Sequence, residues 1–200
     1  MPYDTLVAPG RDPQRALDRA RAEWGGASDL WIFGYGSMIW NPGFEPAEQH
    51  LATVHGWHRA LEMYSRINRG TPERPGLVFA LVPGGSCRGV AYRIALPHAA
   101  EALETLWARE MVTAVYDPRW LRCRTAAGEV RALAFTLSRA SPNHTGVLPE
   151  PALVEILRHA SGRYGTTLAY LVDTWSSLKR HGIRDHGIER LVALARRHGL

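Results

Sequence analysis

Lysine is nearly missing from this chain of 200 residues: of 24 basic residues only Lys179 is a lysine, and the rest are arginines. They are spread along the chain, with no basic run of the nucleic-acid type, so the net charge of +5 does not argue for a DNA or RNA partner. A modest positive field does suit an anionic small substrate. Cysteine is scarce too. Cys87 and Cys123 form no C-x-x-C pair, and two thiols do not make a disulfide framework, so the chain reads as cytoplasmic. No apolar run approaches the roughly 18 residues of a membrane span. The opening Met1-Pro2-Tyr3-Asp4 lacks the basic-then-apolar order of a secretory signal. No H-E-x-x-H occurs, and the spacing of His50, His55 and His58 fits no standard zinc site; alternation on a strand puts His55 on the face opposite the other two. Neither metal nor cofactor is expected.

What is present is ordinary for a soluble globular protein. Hydrophobic residues make up 46% and charged residues 22%, which allows one domain with a real core. Residues 1–29 read as a loose leader over 1–10 and a short helix over 12–24 ended by Gly25-Gly26; residues 30–200 read as a single domain. Leu30-Trp31-Ile32-Phe33 is a compact apolar run stopping at a glycine turn, a buried strand. Further strands are expected over 51–65, 77–82, 88–96, 120–125 and 130–137, with Pro83-Gly84-Gly85-Ser86 as a turn between the second and third of these. Pro97 opens a helix running to about 111, and three more helices are expected over 150–161, 165–181 and 185–198. Strands dominate 30–137 and helices the rest. That order predicts an α+β fold, a mostly antiparallel sheet or small barrel with helices gathered on one side. The connections are too short for repeated βαβ crossovers.

Two local features bear on chemistry. In Phe33-Gly34-Tyr35-Gly36-Ser37-Met38 the alternate glycines let the backbone turn sharply, so that successive N–H groups converge on an anion or a carbonyl oxygen. No Gly-Lys-Ser/Thr follows, so this is not a phosphate-binding Walker loop. Ser37 lacks a glycine two residues on, so it is not a nucleophile elbow. A tight structural turn explains the same residues, and Ser37 with one of nine histidines also leaves a hydrolase triad open. The second feature is Glu110. Leu103, Leu106 and Trp107 share one face of the 97–111 helix, and Glu110 follows at i+4 and i+3. The spacing allows the carboxylate to face inward at the end of the apolar stripe, or to reach water beyond it.

The stretch Trp31-Ile32-Phe33-Gly34-Tyr35-Gly36-Ser37-Met38-Ile39-Trp40-Asn41-Pro42-Gly43-Phe44 closely resembles the opening of the ChaC family of glutathione-specific γ-glutamylcyclotransferases. Gly89-Val90-Ala91-Tyr92, Trp107-Ala108-Arg109-Glu110-Met111 with Tyr116, Ala132-Leu133-Ala134-Phe135, Ser161-Gly162 and Tyr170-Leu171 resemble later family stretches in the same order, so the likeness spans about 30–190. The resemblance implies a γ-glutamylcyclotransferase-like barrel with flanking helices. It implies Glu110 as general acid/base, and substrate contacts from Gly34, Tyr35, Gly36, Ser37, Met38, Ile39 and Tyr116. Met38 stands where the family has leucine, an apolar swap of similar volume. Val112-Thr113-Ala114-Val115 replaces a pair of glycines common in the family, and His144 stands where many members have tyrosine. Arg59, Tyr64 and Tyr164 are further pocket candidates.

The implied reaction turns glutathione into 5-oxoproline and Cys-Gly. The substrate's own α-amine attacks its γ-carbonyl, so the nucleophile arrives tethered. A carboxylate must take the proton of the ammonium and deliver one to the leaving nitrogen, which calls for a raised pKa. The sequence leaves open a cyclotransferase for other γ-glutamyl amino acids or amines, and a non-catalytic anion-binding module.

Overall fold

The computed structural model describes residues 10–200, and the expected leader falls outside these apart from Gly10. Helix α1 (Pro13–Trp24) is capped by Asp12, whose carboxylate accepts from the Gln14 and Arg15 amides. Gly25, at φ 80°, closes its far end. Strand β1 (Leu30–Gly34) then enters a 3-10 turn, Ser37–Ile39. Two long strands follow, β2 (Glu48–Ser65) and β3 (Gly76–Ile94), then helix α2 (Leu96–Glu110) and the hairpin of β4 (Asp117–Thr125) and β5 (Gly128–Thr136). The five strands close into a barrel in the order β1-β3-β2-β4-β5. Neighbours in this order are antiparallel, and parallel bridges at Ile32↔Leu133 and Leu81↔Thr136 complete it.

The expected turn at 83–86 does not reverse the chain. It is a bulge within β3, where Gly84 (φ 106°) and Gly85 (φ 70°) lie opposite Gly56 (φ 80°) of β2, with pairing resuming at Trp57↔Pro83 and His55↔Ser86. Glycine accepts positive φ at little cost, so both strands bend together and stay paired.

The C-terminal part comprises α3 (Glu150–His159), a small hairpin of β6 (Ser161–Gly162) and β7 (Gly165–Thr166), α4 (Thr167–Arg180) and α5 (His186–Arg197). The hairpin shortens the two helices expected on either side of it. The helices are not gathered on one side. Helices α1 and α2 share an apolar cluster with Leu30, Ile32, Leu133 and Phe135, whereas α3, α4 and α5 share another with Leu77, Phe79, Val90 and Tyr92. A third cluster is built from the barrel strands and the turn after β1, around Phe33, Tyr35, Leu81, Ala91 and Ala134. Fully buried leucines such as Leu30, Leu103 and Leu133 each supply about 1.5–3 kcal/mol of transfer free energy.

Candidate active site

Glu110 is the last residue of α2, on the same side as Leu103, Leu106 and Trp107, and its side chain is only 14% exposed. The carboxylate faces inward. Burial raises its pKa above the ordinary 4.5, against the opposing pull of the Arg109 guanidinium. Arg109 Nε donates to Glu110 Oε1 at 2.9 Å and Nη1 donates to the Asn41 carbonyl at 2.8 Å. The Asn41 amide in turn bonds Ser37 O at 2.9 Å. One arginine therefore ties the carboxylate to the end of the glycine turn. Gly43, at φ 79°, leaves room for it: a Cβ there would lie 2.7 Å from Arg109 Nη1.

Three buried phenols lie near enough for the Glu110 charge to bear on them. Tyr35, Tyr116 and Tyr170 all have pKa values raised first by burial, and the Glu110 charge adds to each. They therefore remain protonated donors at neutral pH. Tyr35 donates to the Phe135 carbonyl at 2.6 Å. The Tyr170 oxygen accepts from the Phe79 amide at 3.3 Å and stands 2.9 Å from where a Cβ on Gly36 would be. Glycine at position 36 is thus what allows helix α4 to bring Tyr170 over the turn. Tyr116 packs edge-on against Phe135 at 6.0 Å.

Of the turn residues, Gly34 ends β1 in close contact with the Tyr92 ring. The amides of Gly36, Ser37 and Met38 find no acceptor among the described residues; the last two open the 3-10 turn, where no intrahelical partner exists. The side chains of Met38 and Ile39 are buried in the two helix-bearing clusters; the Met38 carbonyl accepts from the Tyr92 hydroxyl at 3.0 Å and the Ile39 amide donates to the Gly36 carbonyl at 3.0 Å. Ser37 Oγ has no histidine partner among the described residues.

The other candidates separate from this group. Arg59, with a side chain 1% exposed, spends its whole fork on protein groups: the Tyr35 and Arg88 carbonyls and the Asp185 carboxylate. Tyr164 is 56% exposed. Tyr64 lies under the Arg66 guanidinium, 4.9 Å from its ring centroid. His144 pairs with Glu62 at 3.0 Å. A cleft of about 260 Å³ on the α1 side is lined by Arg11, Arg15 and Arg19, and of the residues named here for the site it touches Tyr116 alone. In the segment after Glu110, Ala114 takes φ 50°, and Arg11 bonds the Tyr116 carbonyl at 3.0 Å and Asp117 at 2.6 Å. Sequence reasoning gave Tyr170 and Arg109 no role. Tyr170, Leu171, Thr174 and Leu178 form a buried face of α4, and the helical spacing of these residues is the signal that could have found it.

Residues 30–198 match the family model described as ChaC-like protein. The glutathione-specific gamma-glutamylcyclotransferase of Escherichia coli (strain K12) is 36% identical over 164 residues, covering 82% of this chain and 71% of that protein. The human glutathione-specific gamma-glutamylcyclotransferase 1 is 32% identical over 148 residues, 72% of this chain and 67% of that one. Among solved structures, the selenomethionine-labelled γ-glutamyl cyclotransferase specific to glutathione from yeast superposes with a TM-score of 0.77 at 20% identity, over 85% of this chain and 96% of that one, a likeness of fold. With a matching sequence model over most of its length and the same barrel, this chain belongs to the ChaC family.

Proposed function

We propose that this protein cleaves glutathione to 5-oxoproline and Cys-Gly, with Glu110 as the proton shuttle. Two observations support the reading: the Glu110 charge bears on Tyr35, Tyr116 and Tyr170, and Tyr170 stands over Gly36 at the free amides of the turn. The names of the curated relatives support the substrate.

In the first step Glu110 accepts a proton from the substrate's α-ammonium, which an ordinary carboxylate would do poorly; its raised pKa brings it closer to the task. The amine nitrogen bonds the γ-carbonyl carbon, and negative charge collects on the carbonyl oxygen. Unpaired amides of Gly36, Ser37 and Met38, with the Tyr170 hydroxyl nearby, form a donor set for that oxygen or for the α-carboxylate. As the carbonyl re-forms, the bond to the cysteine nitrogen breaks and Glu110 returns the proton to it; the ring nitrogen sheds its second proton, which the freed Cys-Gly amine takes up to leave as an ammonium. The ring closes within the substrate, so no protein nucleophile is required.

Purified protein incubated with glutathione, and separately with γ-glutamyl-alanine, tests this directly. 5-Oxoproline is expected from the first and little from the second. No 5-oxoproline from glutathione refutes the proposal, and equal yields would replace glutathione specificity with a general γ-glutamyl activity.

A further inference from the structure

Arg59 comes from the middle of β2, far in sequence from the turn and from α2, yet its guanidinium is placed to control the turn. Nε donates to the Tyr35 carbonyl, Nη2 to the Arg88 carbonyl in β3, and Nη1 pairs with Asp185 Oδ2. The other oxygen of Asp185 caps α5, accepting from the Gly187 and Ile188 amides at 3.0 and 3.1 Å. A buried guanidinium is costly unless it is paired, and here Asp185 supplies the pairing while the two carbonyls occupy the rest of the fork.

We infer that Arg59 is a positioning residue that locks the Tyr35–Gly36 peptide with its N–H turned toward the substrate. A trans peptide is planar, so its carbonyl and N–H point in opposite directions. Fixing the Tyr35 oxygen on the Arg59 side fixes the Gly36 N–H on the other. The lock is needed because Gly36 has no Cβ, so sterics alone do not select one orientation of the peptide before it. The space a Cβ would take is where the Tyr170 hydroxyl stands, so the residue cannot be exchanged for a stiffer one. With the peptide reversed, a carbonyl oxygen would face the substrate beside Glu110 and repel the charge that the neighbouring amides attract. Lysine cannot replace the arginine, since one ammonium cannot reach three acceptors in a fixed plane. Asp185 acts at one remove, through Arg59.

The catalytic consequence rests on the function proposed above; the peptide geometry does not. Tyr35-Gly36 and Tyr164-Gly165 are the two Tyr-Gly steps in the chain. Protein carrying carbonyl-13C tyrosine and 15N glycine therefore gives two carbonyl–amide correlations by NMR, the second serving as an internal reference. In Arg59→Lys the Tyr35–Gly36 correlation is expected to move while the other stays. The kcat/KM for glutathione, per folded enzyme, is expected to fall roughly 10²-fold, the scale of losing one oxyanion donor. Asp185→Asn keeps an oxygen for the α5 cap and removes the negative charge paired with Arg59; it is expected to move the same correlation and to lower kcat/KM. It also decides the matter if Arg59→Lys does not fold. A correlation that stays put in the folded variant, or one that moves with kcat/KM unchanged, overturns the inference. If the unaltered protein yields no 5-oxoproline, the proposed function falls, and the correlation still decides whether Arg59 sets the peptide.

Discussion

A carboxylate buried beside three phenols and one guanidinium is stabilised less than it would be in water. The burial cost at Glu110 outweighs the attraction of Arg109, since the net pKa shift is upward. Two consequences follow for Glu110→Gln. Turnover should fall about 10²-fold or more, the usual scale for a lost general acid/base, with far-UV circular dichroism unchanged. The variant should also melt at a higher temperature at neutral pH, because it removes a charge the fold holds at a cost. The sign follows from linkage: the folded state binds the Glu110 proton more tightly than the unfolded chain does. Its contribution to stability is fully present below the ordinary carboxylate pKa and is lost as pH rises through the raised folded value. The melting difference between variant and unaltered protein should therefore grow as pH rises above the ordinary carboxylate range. A variant with full turnover removes Glu110 from the mechanism. The inward placement itself was not legible in the helical pattern. A residue at the last position of a stripe has no following turn to reveal its face, and Arg109 holds the carboxylate through a link to Asn41 that spans 68 positions.

At the scale of elements, the barrel strands were readable because their apolar runs are bounded by glycine and proline, and α2 because Pro97 and its stripe agree. The continuity of β3 was not. Pro-Gly-Gly-Ser in a single chain looks like a reversal, and only the partner strand, with Gly56 opposite, shows that it is a bulge. Gly56 also offers a clean measure of what that bend requires. It sits at φ 80° with nothing within 4 Å of an added Cβ, so Gly56→Ala tests backbone conformation without a steric clash. An alanine in the left-handed region costs about 1–2 kcal/mol, partly offset by the lower entropy of its unfolded chain. A net loss near 1 kcal/mol should lower Tm by about 2–4 °C in a chain of this size. An unchanged Tm would mean that the two long strands bend without needing that residue.

Across the whole molecule the candidate site lies where the three apolar clusters meet. Tyr35 belongs to the strand-built cluster, Met38 and Tyr116 to the one with α1 and α2, and Ile39 and Tyr170 to the one with α3 to α5. Helix α1 is part of this although it precedes the family match at residue 30: Leu17 and Ala20 are buried in the core, Trp107 Nε1 bonds the Pro13 carbonyl at 2.9 Å, and Arg11 holds the segment after Glu110. Convergence of this kind was beyond the reach of sequence, since it depends on contacts such as Arg59–Asp185 that close long loops. It has a thermodynamic consequence. A ligand seated at the junction touches all three clusters, so it should stabilise them as one unit rather than a single lobe. Scanning calorimetry is expected to show one cooperative transition for residues 1–200, shifted upward as a whole by saturating 5-oxoproline. Two transitions, only one of them moved by the ligand, would show that the C-terminal helices melt apart from the barrel and that the site does not join them.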